Sequence, residues 1–510
     1  MPRQSLTGRF FPGERRRGRR QSRICAGLLE KNRNTSQKKE ETMRAKGAKK
    51  KQTPVKIKEF PDVVSVRESI RKGNAAVKLS CLIMGAGSFR YRQYVKGILF
   101  LAAEIIYILF MAMFGAGALA GLTTLGTQTG QEVFNEAKQI YEYTQGDNSM
   151  LFLLYGVATI FITLGFFIIW RTNVKSAYTQ QKKTEEGKPV LTLAEDIRSL
   201  LDKRLNSTLL FFPTLCVVMF TILPLIFMIC MAFTNYDRNH QPPGQLFDWV
   251  GLKNFETILD AGSGLGYAFW HILGWTFVWA IAATFLNYIL GMILAMIINW
   301  KETRCKGFWR FIFILSIAVP QFVSLLIMRT MLQEQGAINV LLQNLGLIED
   351  ALPFWTDATW ARVTIIVVNI WIGIPYTILQ VTGILQNIPT ELYESAKIDG
   401  AGPVTIFFKI TLPYMLFVTA PYLITQFIGN INNFNVIYLL SEGGPAAMDY
   451  YNGTGGKTDL LVTWLYKLTI DFKDYNYGAV IGILTFVICA TLALVTYRRT
   501  GSYKNEEGFQ

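Results

Sequence analysis

Three carboxamides, Gln426, Asn430 and Asn433, stand in the run ITQFIGNINNFNVIY at spacing i, i+4, i+7. Read as one helix, that spacing places them on a single face. Each is a neutral donor and acceptor, the chemistry that answers hydroxyl groups such as those of a sugar. Tyr422 and Gly429 fall on the same side. Upstream, VVNIWIGIPYTILQ offers Trp371, Gly373 and Tyr376, with Pro375 freeing main-chain carbonyls and favouring a bend. Pro320-Gln321 adds a further amide. Interhelical hydrogen bonding, routine in membrane bundles, is the alternative reading for any one of these residues. Three amides on one face exceed what packing needs, which favours a pathway for a polar molecule. No Asp, Glu, Lys or Arg lies deep in these stretches, so a neutral cargo fits better than a charged or ion-coupled one.

Other chemistries find little support. The segment Gly453-Thr454-Gly455-Gly456-Lys457-Thr458 imitates a phosphate loop, but Tyr451 stands where that loop needs its first glycine. No strand is expected before it. The chain is therefore read as binding no nucleotide or other cofactor itself. The six cysteines, Cys25, Cys81, Cys216, Cys230, Cys305 and Cys489, form no C-x-x-C pair and read as small hydrophobes. His240 and His271 are too few and too separated for a metal centre. Without a nucleophile, metal cluster or paired carboxylates within one span, an enzyme is disfavoured.

The elements that must position these residues are membrane helices. Of the 510 residues 51% are hydrophobic, and they cluster in runs long enough to cross a bilayer. Eight spans are expected, near 97–119, 150–170, 209–233, 273–298, 309–328, 363–384, 414–437 and 478–497. All are read as helices, since lipid demands internally satisfied backbones. The fold class is thus all-α and integral to the membrane.

Charge sets the orientation. The connections 171–208 and 299–310 are rich in Lys and Arg, the latter with Lys301, Arg304, Lys306 and Arg310. In contrast 120–149 holds only Lys138, and 234–272 only Arg238 and Lys253. Both termini are accordingly expected in the cytoplasm. The net charge of +15 is concentrated before residue 97, in a basic, largely disordered tail. Such a tail suits membrane lipid or the positive-inside rule rather than nucleic acid. A short amphipathic surface helix is expected around 76–84. The domain reading is a basic N-terminus over 1–96, two accessory helices and a linker over 97–208, a six-helix core over 209–497, and a tail over 498–510. Lys38-Lys39-Glu40-Glu41 is encoded by purine-rich codons that can form a ribosome-binding sequence just before Met43. Translation is therefore expected to start at Met43, leaving 1–42 untranslated.

Between the sixth and seventh spans lies ELYESAKIDGAGPVTIFFKITLP, residues 391–413. Thr390 is suited to cap a helix whose first turns carry Glu391 and Glu394. Gly400 and Gly402 stop it, and Pro403 opens a second helix. Charge places this helix–turn–helix elbow in the cytoplasm. The pattern Glu394-Ser395-Ala396, Asp399-Gly400-Ala401 and Ile410-Thr411-Leu412-Pro413 resembles the "EAA" loop of ABC-importer permeases. Ser395 replaces the alanine that is frequent there. The resemblance implies a coupling element that docks on a cytoplasmic ATPase.

Over roughly 209–510 the chain is similar to the MalF-type permeases of maltose/maltodextrin importers. The residues that carry this are DWVGLKNF (248–255), AVPQF (318–322), WIGIPY (371–376), the elbow, NNFNVIYLLSEGGP (432–445) and KTDLLVTWLYKLT (457–469). The resemblance implies a type I importer permease fold in the bacterial plasma membrane. It further implies a second, MalG-like permease, two ATPase subunits and an extracellular solute-binding protein. In that family the middle of spans five to seven lines the sugar site. Gly373, Tyr376, Asn430 and Asn433 match it in type, whereas Gln321, Gln426 and Gly429 hold lining positions with different residues. A small residue at 429 implies a wider site and a different preferred sugar length. Some relatives insert a folded domain in the connection 234–272, and about forty residues leave no room for one. Galacto-oligosaccharides, another plant-derived glycan or a glycerophospho-compound are the alternative cargoes. An ATP-independent carrier would need an intramembrane ionisable pair.

Overall fold

A computed structural model of the chain describes residues 65–136, 138–144, 146–189, 193–202 and 205–499. The basic tail before residue 65, the Met43 start and most of the C-terminal tail lie outside the described residues. Two compact units are present, Met1–Lys72 and Gly73–Gln510. The described part of the first is helix α1 (Val66–Lys72), with Lys72 paired to Glu68 at 2.9 Å.

The second unit begins with two short helices, α2 (Ala75–Leu79) and α3 (Ala86–Arg90), where one surface helix was expected. They lead into α4 (Tyr94–Thr124). Next comes a hairpin of β1 (Gln131–Asn135) and β2 (Ile140–Thr144), antiparallel with Val133 opposite Glu142. The hairpin is a small addition to a chain that is otherwise helical among the described residues. It falls in a polar connection, where backbone groups can pair without a lipid constraint. Then follow α5 (Ser149–Glu185), α6 (Leu193–Leu201), α7 (Leu205–Met231), α8 (Lys253–Leu259) and α9 (Gly264–Asn299). The rest of the chain forms α10 (Lys306–Ala318), α11 (Gln321–Met331), α12 (Ala337–Asn344), α13 (Ala358–Gln386), α14 (Thr390–Ile398) and α15 (Pro403–Ile431). It closes with α16 (Phe434–Ser441), α17 (Leu461–Ile470) and α18 (Tyr475–Arg499).

Among the described residues, 7 helices are long and apolar enough to cross a membrane, or up to 8 if a bent pair counts as one span. Two expected spans need correction. The fifth, read as one helix over 309–328, is α10 and α11, bent by 88°. Pro320 is the cause: it cannot donate a main-chain hydrogen bond, and it drives Val319 out of the helical region to ψ 126°. The seventh, read as continuous over 414–437, ends at Ile431 and resumes at Phe434. Asn433 caps the new helix, its side chain accepting from the Val436 N–H at 3.3 Å.

Polar side chains fasten the early elements. Asn173 of α5 donates to the Ser80 carbonyl at 2.9 Å and accepts from the Gly85 N–H at 3.1 Å. Trp249 donates to the Leu122 carbonyl at 3.0 Å, and Asn476 donates through its main chain to the Tyr236 carbonyl at 3.0 Å. The connections after α4 and α7 and before α18 therefore gather at one end of the bundle, the far end. The α13–α15 connection marks the opposite, elbow end. Apolar packing holds the long helices together. Phe269, Ile272, Leu461 and Trp464 are buried in one cluster, and Met292, Ile378, Val381 and Met415 in another nearer the elbow.

Candidate functional site

Helices α9, α11, α13 and α15 enclose a cavity of about 440 Å³. The α9 wall carries a π-helical turn, Ala282–Leu286. Its extra residue per turn brings Thr284 to the cavity, with Asn287 just beyond it. From α13 come Asn369, Gly373, Tyr376, Thr377 and Gln380, which recur at helical spacing along one face. The bend before Gln321 turns that side chain inward, and α15 supplies Tyr422, Gln426 and Asn430. Seven of the lining side chains are carboxamides, and none is charged.

Of the seven residues expected along a pathway, six line this cavity: Gln321, Gly373, Tyr376, Gln426, Asn430 and Asn433. Gly429 does not, and a Cβ built there meets nothing within 4 Å. Asn433 reaches the cavity from beyond the break after α15, not from the helical face expected for it. Asn430 is 9% exposed. Its Nδ2 donates to Thr284 Oγ1 at 3.0 Å, its Oδ1 accepts from Asn433 Nδ2 at 3.3 Å, and its main-chain carbonyl accepts from Trp279 at 3.0 Å. The Asn430 and Asn433 amides are thus largely engaged with the protein. Gln321, Tyr376 and Gln426 are exposed to the open space, and they leave their polar groups available to a ligand.

Gly373 does more than line the wall. A Cβ there would come within 2.5 Å of Asn287 Nδ2, so the missing side chain lets the Asn287 amide lie against α13. The sequence reading passed over Asn287, Asn369, Gln380, Thr284 and Tyr288. Their signal was present only as single polar residues inside apolar runs.

The elbow is built as its glycines and proline dictate. Helix α14 begins at Thr390 with Pro389 at its N-cap and no side-chain cap, so Thr390 does not take the capping role expected of it. At the other end the Ala401 N–H donates to the Ala396 carbonyl at 2.9 Å, and the Gly400 N–H to the Lys397 carbonyl at 3.1 Å. That pair of bonds is a Schellman stop, which requires a left-handed residue, and Gly400 supplies it at φ +76°. Gly402 then precedes Pro403 in the first turn of α15. Glu394, Ser395, Asp399 and Gly400 are exposed, Ala396 and Ala401 half-buried. Ile398 is 86% exposed, with Leu392, Val404 and Phe408 also uncovered. Tyr393 and Thr411 hydroxyls meet at 3.2 Å and tie the elbow to the start of α15.

The loop that imitates a phosphate binder is a structural knot at the far end. Buried Asp459 accepts from the Gly456 N–H at 2.7 Å, from Thr463 Oγ1 at 2.8 Å and from Lys467 Nζ at 2.7 Å. Burial pushes its carboxyl above the usual range, with Lys467 opposing that shift. Lys457 pairs with Asp449 at 3.0 Å and sits 4.0 Å over the Tyr450 ring. Around them, Trp275 donates to the Thr458 carbonyl at 3.1 Å and Arg362 to the Lys457 carbonyl at 2.9 Å. Ser441 and Thr458 hydroxyls meet at 2.9 Å. Nearby, Arg329 bridges to Glu442 at 2.7 Å, which holds that carboxyl below its ordinary value.

Residues 287–499 match the family described as "Binding-protein-dependent transport system inner membrane component". The chain is 38% identical over 434 residues to the galactooligosaccharides transport system permease protein GanP of Bacillus subtilis (strain 168), covering 84% of this chain and 98% of that one. It is 35% identical over 448 residues to the maltodextrin transport system permease protein MdxF of the same organism, 86% and 98% of the two chains. Against the maltose/maltodextrin transport system permease protein MalF of Escherichia coli (strain K12) it is 37% identical over 258 residues, 49% of each chain. The bundle of apolar helices around an uncharged, amide-lined cavity accords with these matches. The chain belongs to the binding-protein-dependent transport system inner membrane components: it is a multi-pass permease subunit of an ABC importer and not an enzyme.

Proposed function

We propose that this permease carries neutral oligosaccharides, maltodextrins first among them, inward across the bacterial plasma membrane. The observation that carries the reading is the cavity wall, with seven carboxamides and no charged side chain. Such a surface offers donors and acceptors to hydroxyls without the desolvation cost of a buried ion. The maltodextrin permease MdxF, at 35% identity over nearly the whole of both chains, supports the choice of cargo.

Energy comes from a partner. The exposed elbow, with Ile398, Leu392, Val404 and Phe408 uncovered around Glu394, Ser395, Ala396, Asp399, Gly400 and Ala401, is the docking element for one of two ATPase subunits that bind ATP and Mg. An apolar face of this kind marks a protein contact. A second, MalG-like permease completes the passage, and an extracellular solute-binding protein delivers the sugar. The elbow and both termini face the cytoplasm, because the Lys- and Arg-rich connections lie on that side.

A second reading keeps the machine and changes the cargo to galacto-oligosaccharides, favoured by 38% identity to GanP. Reconstituting the complete importer in liposomes and measuring ATP-dependent uptake of maltotriose and of β-1,4-galactotriose decides between them. Maltotriose uptake supports the first reading, and uptake of galactotriose alone the second. Transport of neither by an assembled, ATP-hydrolysing complex would overturn both.

A further inference from the structure

The segment 73–100 carries Lys78, Arg90, Arg92 and Lys96 and no Asp or Glu. It folds as a clip on the accessory helices, where α4 begins and the apolar part of α5 ends. Besides the two Asn173 bonds, Trp170 of α5 donates to the Cys81 carbonyl at 3.0 Å. Glu104, the only acid of α4, accepts from the Met84 N–H at 2.8 Å and is thereby turned toward the clip. Backbones meet closely here: Gly85, at φ +89°, lies so near Gly97 that a Cβ would collide with the Gly97 carbonyl. The outward face is different in kind. Leu82 is 78% exposed, and Leu79 and Ile83 beside it are uncovered. Lys78, Arg90 and Arg92 are exposed as well. The clip thus holds out an apolar tip among cations with no acid of its own to balance them. Its bond to Trp170 sets the level of the tip. Trp170 ends the apolar stretch of α5 and Arg171 follows it, the pattern of a membrane–water boundary.

We propose that the clip is a binding site for anionic phospholipid in the leaflet at the elbow end. Leu79, Leu82 and Ile83 enter the acyl boundary, and Lys78, Arg90 and Arg92 take the headgroup phosphates. Charge complementarity chooses this occupant. A cationic rim around an apolar tip matches a surface that is anionic outside and hydrocarbon beneath. The guanidinium groups of Arg90 and Arg92 suit phosphate oxygens in particular. Because the clip is bolted to α4 and α5, these groups are held in place before lipid arrives, which lowers the ordering cost of binding. The inference is independent of the cargo and stands on the membrane-spanning character of α4 and α5.

The test titrates the full chain, purified in neutral detergent, with dioleoylphosphatidylglycerol or dioleoylphosphatidylcholine, and counts retained lipid by native mass spectrometry. Each basic residue at an anionic surface is worth roughly fivefold in affinity. The wild-type chain should therefore prefer the anionic lipid by about tenfold or more. Lys78→Gln, Arg90→Gln and Arg92→Gln together should bring that preference to within about twofold. Leu82→Ser should weaken retention of both lipids. Gly85→Ala, which keeps every charge but forces the clip off Gly97, should lose the preference too. If Gly85→Ala does not fold, the exposed-residue variants still decide. Lys301→Gln with Arg304→Gln, which removes two cations outside the clip, should leave the preference intact. Equal retention of the two lipids by the wild-type chain, or an unchanged preference in the triple variant, overturns the proposal. So does a loss in the Lys301/Arg304 variant as large as that in the triple variant, which would reduce the effect to the general field of the basic connections. Thermal stabilisation by inorganic phosphate alone, with none from the lipid, would show an anion site and no lipid site. If a protein subunit covers the tip instead, Leu82→Ser leaves lipid retention unchanged and lowers co-purification of the second permease, and the proposal falls.

Discussion

Trp279 donates its indole N–H to the main-chain carbonyl of Asn430 across 3.0 Å, so a side chain of α9 satisfies the last turn of α15 where that helix breaks. The same asparagine holds Thr284 with its amide nitrogen at 3.0 Å. A cavity wall and a helix end are thus one hydrogen-bonded unit, and substitutions there act on both.

Asn430→Leu should therefore damage structure as well as transport. It strips the partners from buried Thr284 Oγ1 and from Asn433 Nδ2, at a cost of about 1–3 kcal/mol in stability. Gln426→Leu, which removes an exposed cavity amide, should lower uptake with an unchanged melting temperature. Asn433→Leu should fall between them, since it loses a helix cap worth about 1 kcal/mol. Thermal unfolding in detergent beside uptake in liposomes checks the order; equal melting temperatures for all three would refute it.

Gly400→Val should uncouple uptake from ATP hydrolysis. A Cβ at 400 meets nothing within 4 Å inside this chain, so the demand for glycine comes from φ +76° and from whatever docks there. A left-handed β-branched residue costs about 1–2 kcal/mol or more, enough to remodel a two-bond stop. The complex should still assemble. Normal sugar-stimulated ATPase activity together with normal uptake would refute the coupling role.

Gly373→Ala should perturb the cavity through Asn287. The new methyl would come within 2.5 Å of Asn287 Nδ2, and that amide must leave its bond to Ala283. The expected result is a several-fold rise in KM with little change in expression. Combining Gly373→Ala with Asn287→Ala should relieve part of the defect. A strictly additive double variant would show the two residues acting independently.

Lys467→Met should destabilise the far end by about 3–5 kcal/mol, because it strands the buried Asp459 carboxylate. The pH dependence has a definite sign. Burial raises the folded-state pKa of Asp459, so its protonated form is the one folding favours. The corresponding stability is fully present below the unfolded value of about 3.9 and is lost as pH rises through the folded value. Without Lys467 to oppose the shift, the variant should regain stability as pH falls. Melting curves from neutral to mildly acid pH test this, and a variant that weakens further on acidification would refute the assignment.

The helices were legible in the sequence because lipid leaves few backbone solutions, and the elbow was legible because Gly400 and Pro403 permit so few conformations. The break at Val319 was written in Pro320 but hidden by averaging hydropathy across AVPQF. The break after Ile431 was hidden because Asn432 and Asn433 read equally well as helix-face amides or as a stop and a cap. Asn287, Asn369 and Gln380 could not be chosen from the sequence. A lone amide in an apolar run looks the same whether it meets a neighbouring helix or a cavity, and only the packing of α9 on α13 decides.

The knot around Thr458 and Asp459 gathers the starts of α13 and α17, the end of α16 and the first half of α9 into one pinned vertex. Helices fixed at one end act as levers. For the 29 residues of α13, ~43 Å long, a tilt of about 5° at the vertex would sweep the elbow end through ~4 Å. Motion imposed at the elbow could then open or close the cavity by leverage, with the loop that only imitates a nucleotide site serving as its fulcrum.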